Sequence, residues 1–304
     1  MANFDIVLKE HKKIQGSDWL NFLSLSVVWG FSFFFIKKGL EAFEPMEVAA
    51  FRMSIAFLAL LPFIVYHFKR IRIPKHKWKF IPLLGLFGNL IPAVMFCTSE
   101  TKIDSGIVGI MNATTPLFVL FLGAMFFGVA LTKNKIIGVL VGFTGTVIIV
   151  LSKMDGISKG NINVFILMPL VATVCYGINA NLFKRFFQDE DPLIIALLQY
   201  SAVALVTIPY LFFSGAITKV QAEPARSWNS IQYLILLGVL GTGFAQVGFN
   251  ILTQRTSALF ATMTTFVIPV VSILIGFYIG EKITAVHIAG LATILAGVYV
   301  GSRT

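Results

Sequence analysis

Residues 28–62 read VWGFSFFFIKKGLEAFEPMEVAAFRMSIAFLALLP, and residues 175–209 read CYGINANLFKRFFQDEDPLIIALLQYSAVALVTIP. Laid over one another at an offset of 147 residues, they bring Trp29-Gly30 onto Tyr176-Gly177, Lys37 onto Lys184, Pro45 onto Pro192 and Pro62 onto Pro209. Farther along, the match continues at 152 or 153. Gly85, Gly88 and Phe96 meet Gly238, Gly241 and Phe249; Ser105, Met111 and Pro116 meet Ser257, Met263 and Pro269. Gly128, Thr132, Gly138 and Gly145 meet Gly280, Thr284, Gly290 and Gly297. Chance glycine matches are common in apolar helices, but prolines matched in unchanged order mark a duplicated unit.

The repeat is embedded in a membrane composition. Of 304 residues, 57% are hydrophobic and 12% charged, against about 25% charged in soluble domains. One soluble core could not hide that much apolar surface, whereas lipid can. Ten charge-free runs are visible: 19–36, 53–68, 80–99, 105–132, 136–152, 160–183, 192–218, 227–254, 256–280 and 283–302. The second reaches spanning length only if it begins near Pro45, which puts Arg52 inside it. The expected architecture is an all-α integral membrane protein of ten transmembrane helices. Residues 1–18 form a cytoplasmic N-terminal segment, 19–152 a first five-helix repeat and 160–302 a second. Five is odd, so the second copy is inserted upside down, as in many secondary transporters. The structural alternative is a duplicated bundle without transport.

The net charge of +10 falls between the apolar runs, so it reads as topology signal and headgroup contact rather than nucleic-acid binding. With the N-terminus inside, 15 of the 24 Lys and Arg lie in inside segments and 8 outside, Arg52 being the last. Both termini are therefore expected in the cytoplasm. Cys97 and Cys175 lie in apolar runs and read as packing residues. The histidines, His11, His67, His76 and His287, have no metal-ligand spacing, so no metal and no cofactor are expected. No HExxH, GxSxG or P-loop appears and the aspartates sit in loops or ends, so neither an enzyme nor an ATP-driven pump is expected.

With Trp29-Gly30, Pro45 followed by Arg52, Pro116, Pro192, Pro269 and the run 280–284 leading to Gly290 and Gly297, the chain resembles the EamA family of the drug/metabolite transporter superfamily. The resemblance covers roughly 29–152 and 176–301. It implies a 5+5 inverted-repeat bundle and transport, often export, of small metabolites such as amino acids, nucleosides, sugars or drugs. Two departures make the halves chemically unequal. Gly128-Val129 stands where the second copy has Gly280-Glu281, and Gln199 stands where the repeat would place Arg52.

Polar groups inside a bilayer are expensive and so are functional candidates. Arg52 lies nearly two helical turns past Pro45, about 10 Å into its span. It could attract an anionic group such as a carboxylate; the bland alternative is snorkelling to headgroups or pairing with a carbonyl to hold the fold. Asn89, Asn112, Asn179, Gln246 and Asn250 form an amide set within apolar runs, and about half of such groups simply join helices. Thr115 precedes Pro116, and Met263 and Thr264 precede Pro269, where a missing N–H frees backbone. Third, fourth, eighth and ninth spans are expected to line a central cavity, with Phe96 on the Asn89 face and Trp29, Phe33 and Tyr176 as caps. Glu281 is expected at the N-terminus of the last helix, where the dipole favours an acid. The GxxxG pairs Gly138/Gly142 and Gly297/Gly301 permit close helix contact, within the fold or in a homodimer.

The functional expectation is a secondary transporter in a bacterial inner membrane. It exports small polar or amphipathic metabolites, such as amino acids, by alternating access. The partners are then that solute and the lipid bilayer. The rival is a channel or lipid scramblase, which needs no exchange of states.

Overall fold

The computed structural model describes residues 14–67, 73–103, 105–153, 164–278 and 284–303, and every element among them is helical. In chain order these are α1 (Gly16–Leu40), α2 (Pro45–His67), α3 (Lys75–Ser99), α4 (Ser105–Asn112), α5 (Thr115–Phe126), α6 (Lys133–Lys153) and α7 (Val164–Phe186). Then come α8 (Pro192–Phe213), α9 (Ala216–Ala222), α10 (Pro224–Arg255), α11 (Ala258–Thr262), α12 (Thr264–Tyr278) and α13 (Ala285–Ser302). Six of the helices (α1, α3, α8, α10, α13 and the 45–63 stretch of α2) are long and apolar enough to cross a membrane. Glu281 and the basic segment 69–72 lie outside the described residues.

Helix ends differ from the charge-free runs for identifiable reasons. In α1, Asp18 sits three residues inside the start and accepts the Gln15 N–H at 3.0 Å, so the helix begins before the apolar run. Lys37 and Lys38 extend its last turn, where cations suit the dipole. Pro45 and Pro192 open α2 and α8, and Pro62 and Pro209 lie at the same place within them. At the start of α6, Thr132 Oγ1 accepts the Lys135 N–H at 3.3 Å; at the start of α13, Thr284 Oγ1 accepts the His287 N–H at 3.4 Å. The matched threonines are N-caps.

Two expected single runs are broken. Residues 105–132 split into α4 and α5 just before Pro116, and 256–280 split into α11 and α12 at Met263, six residues ahead of Pro269, which lies inside α12. Pro116 cannot donate to Asn112 O; the Thr115 hydroxyl donates to it instead, at 2.7 Å. At the other break the Thr264 and Thr265 hydroxyls donate to Ala261 O and Thr262 O at 2.8 and 2.9 Å. The long rods carry π-helical stretches at matched positions, Leu86–Leu90 in α3 and Leu237–Phe244 in α10.

Packing follows the same exchange. α1 lies on α12 and α10, while its repeat mate α7 lies on α5 and α3; α2 packs on α10, and α8 on α3. α2 pairs with α8 and α6 with α13, each with its own mate. The α6–α13 seam is glycine-lined: a Cβ at Gly138 would fall 2.5 Å from Gly301 Cα, and one at Gly297 2.3 Å from Gly142 N. The two GxxxG motifs thus face each other within the chain. Without Cβ atoms the backbones touch, gaining dispersion contacts where lipid offers no hydrophobic drive.

Polar ties sort the helix ends into two sets. Asp18 lies 3.7 Å from Arg255, Lys77 2.5 Å from Glu190, and Asn134 Nδ2 donates to Arg303 O at 3.4 Å. At the opposite end Lys219 pairs with Glu47 at 2.7 Å and Ser230 Oγ donates to Lys38 O at 2.7 Å. Lys184 donates to Thr253 O, Gln254 O and Thr256 O at 2.9–3.0 Å. It caps the carbonyls at the end of α10, where a cation also meets the dipole.

Candidate functional site

A cavity of about 100 Å³ lies among α1, α2, α3, α4, α5, α7, α8, α10, α11 and α12. Among the described residues, α6 and α13, packed against each other, contribute none to its lining. The expected four spans all take part, and α1, α2, α7 and α8 join them.

The π stretch of α10 is the organising element. A π turn shifts hydrogen bonding from i−4 to i−5 and leaves carbonyls without their usual donors. Trp29 Nε1 donates to Gly241 O at 3.1 Å, and Tyr200 Oη donates to Thr242 O at 3.0 Å. Thr242 Oγ1 donates to Leu237 O at 2.8 Å and accepts from Arg52 Nε at 3.2 Å. Arg52 is 9% exposed, and its guanidinium lies within the bundle against Thr242; this placement suits recognition of an anion and a fold-holding polar tie alike.

The mates of these residues make the mirror contact. Asn89 and Gln199 correspond to Thr242 and Arg52, and Asn89 Nδ2 donates to Gln199 Oε1 at 3.3 Å. The aromatic pairs are exchanged too: Trp29 lies 5.7 Å from Phe249, and Tyr176 6.0 Å from Phe96 between ring centroids. Gly88 and Gly241 repeat the relation. A Cβ on Gly88 would meet the Asn179 amide at 2.6 Å, and one on Gly241 the Ser32 Oγ at 2.9 Å. Ser32 and Asn179 are themselves 147 apart. Asn179 is 3% exposed and among the described residues its Oδ1 accepts no hydrogen bond, an acceptor of the kind that costs stability unless a partner is supplied.

Of the sequence-chosen residues, Trp29, Phe33, Arg52, Asn89, Phe96, Asn112, Thr115, Tyr176, Asn179 and Gln246 line the cavity. Asn250, Met263 and Thr264 do not. Asn250 is fully buried; its Oδ1 accepts from Gln246 Nε2 at 2.9 Å and its Nδ2 donates to Pro192 O at 3.2 Å. Met263 packs under Gly301, and Thr264 is spent on Ala261 O. Thr262 and Thr265 face the cavity in their place, since the break at Met263 turns the helix face. Carrying the chosen residues through the repeat offset finds Ser32, Thr242 and Phe249, mates of Asn179, Asn89 and Phe96. Met53 and Tyr200, also mates, had no separate signal.

A family model described as the EamA-like transporter family matches the chain twice, at residues 18–151 and 163–303. A protein named only an uncharacterized transporter, from Archaeoglobus fulgidus, is 30% identical over 92% of this chain and 97% of its own length. A Salmonella typhimurium protein named "probable amino-acid metabolite efflux pump" is 23% identical over 91% and 92%. The Escherichia coli K12 uncharacterized inner membrane transporter YedA is 27% identical over 90% and 87%. A solved crystal structure aligns with a TM-score of 0.70 at 19% identity, over 95% of this chain and 97% of its own. That last likeness speaks for the fold alone.

Proposed function

This chain belongs to the EamA-like transporter family and is an integral membrane transporter, and we propose that it works as a secondary transporter by alternating access. Its ten spans form a 5+5 inverted repeat with both termini in the cytoplasm, in a bacterial-type inner membrane. Its cargo is a small polar or amphipathic metabolite, and the direction is export. The name of the Salmonella relative supports amino acids or related compounds as the class.

One observation carries the reading: the cavity's contacts come in exchanged pairs. Arg52–Thr242 answers Gln199–Asn89, and Trp29–Phe249 answers Tyr176–Phe96. If the halves lie inverted, swapping their conformations opens the same site to the opposite side. The chemical inequality lies at the first pair, where one half offers a cation and the other an amide. Arg52 suits the carboxylate of a solute, Asn179 Oδ1 accepts from a donor on it, and Phe33, Phe96 and Tyr176 hold its apolar part.

Counterflow in proteoliposomes tests the mechanism. Vesicles are loaded with a mixture of unlabelled amino acids and given one labelled amino acid outside. An alternating-access carrier accumulates label transiently against its gradient; a channel or scramblase gives only monotonic equilibration, and that trace would remove the proposal.

A further inference from the structure

A second recess, of about 550 Å³, lies on the outside of the bundle between α2, α3 and α8. It is lined by Phe57, Trp78, Ile81, Ala202, Leu205 and Pro209 among others. Among the described lining residues the polar side-chain atoms are already committed. Ser201 Oγ donates to Leu197 O at 2.9 Å, and Trp78 Nε1 donates to Ile73 O at 3.2 Å. Only hydrocarbon gains by entering such a groove. Its length also fits. Along α8 the lining runs from Leu198 to Pro209, about 16 Å at 1.5 Å per residue, close to one leaflet of a hydrocarbon core about 30 Å thick.

One end of the groove is cationic. The first turns of α3, Lys75–Phe80, are 3₁₀, so residues three apart are eclipsed. Lys75 therefore stands on the same edge as Trp78 and Ile81, which line the recess. Lys75, His76 and Lys79 are exposed, and among the described residues Lys75 and Lys79 pair with no carboxylate; Lys79 stands on the next edge, with His76 and Pro82, which also lines the recess, and lies 5.1 Å over the Phe80 ring. The nearby Glu190 is taken by Lys77 at 2.5 Å. Trp78, half exposed, has the amphipathic character of a residue at the headgroup boundary.

We propose that this groove is a specific site for an anionic phospholipid, one acyl chain lying along α8 and the phosphate resting on Lys75 and Lys79. Charge complementarity at one end and a leaflet's length of uncommitted apolar wall select this occupant over a second copy of the chain.

The experiment is quenching of Trp78 by phospholipid brominated on the chains, at low mole fraction in phosphatidylcholine nanodiscs. The Trp78 signal is the difference between wild type and Trp78→Phe. Brominated phosphatidylglycerol should quench it several-fold more efficiently than brominated phosphatidylcholine. Lys75→Glu, a surface change, should erase that preference, and Ala202→Phe, which fills the groove, should reduce quenching by both lipids. Equal quenching by the two headgroups, or a preference that survives Lys75→Glu, would overturn the site. So would a change of oligomeric mass in Ala202→Phe, since the groove would then belong to a subunit contact.

Discussion

Arg52 Nε donates to Thr242 Oγ1 across 3.2 Å, and at the matched positions of the repeat the direction is reversed, Asn89 Nδ2 donating to Gln199 Oε1 at 3.3 Å. A charge at one of the matched positions and an amide at the other make the two copies of the repeat chemically unequal. Arg52→Gln gives positions 52 and 199 the same side chain. Transport of a carboxylate-bearing solute should fall about 10- to 100-fold, the size of one charge-assisted hydrogen bond, while Arg52→Lys retains more because the cation stays. Initial rates in proteoliposomes measure it; equal rates in wild type and Arg52→Gln would take the arginine out of recognition.

Trp29 ties α1 to the π stretch of α10 through a single N–H. Trp29→Phe keeps a ring beside Phe249 and deletes the donor to Gly241 O. The expected cost is about 0.6–1.7 kcal/mol of stability, the range for one hydrogen bond between helices in a membrane. A larger loss of transport should accompany it, because the freed carbonyl faces the cavity. Thermal unfolding and flux on the same preparation separate the two effects.

Asn112→Leu and Gln246→Leu remove amides that face the cavity. Both proteins should insert and purify normally and transport poorly. Gln246→Leu also strips Asn250 Oδ1 of its donor and should be the less stable of the two. Normal flux in both would disperse the proposed site.

The α6–α13 seam predicts a sharp positional contrast. Gly297→Val drives a side chain into the Gly142 backbone, and overpacking of this kind costs about 1–3 kcal/mol or more. The melting temperature should drop by about 5–10 °C. Gly109→Ala, whose new methyl meets nothing within 4 Å among the described residues, should melt near wild type.

Topology is open to a direct assay. Glu44 and Gln188 are exposed and stand just before the matched helices α2 and α8. In intact cells a membrane-impermeant maleimide should label Glu44→Cys and spare Gln188→Cys until the membrane is opened. Cys97 and Cys175 are buried and add little background. Labelling of both from one side would collapse the inverted repeat.

The chain itself carried the number of apolar runs, the duplication and most of the cavity. Spacing and hydropathy are properties of the linear sequence, and a repeated unit packs its copies by the same contacts. Trp29 and Tyr176 could be picked out as mates before their rings were seen against Phe249 and Phe96. The use of the glycines was open until α6 met α13, because a GxxxG face does not specify its partner. Thr264 and Thr265 are neighbours in sequence, and only the break at Met263 decided that the second faces the cavity. The pairing of Arg52 with Thr242, and the sealing of π-stretch carbonyls by Trp29 and Tyr200, join residues more than forty apart. Such contacts depend on how helices are rotated and shifted against one another, and that is decided by the balance of backbone approach and hydrogen bonding in the folded bundle.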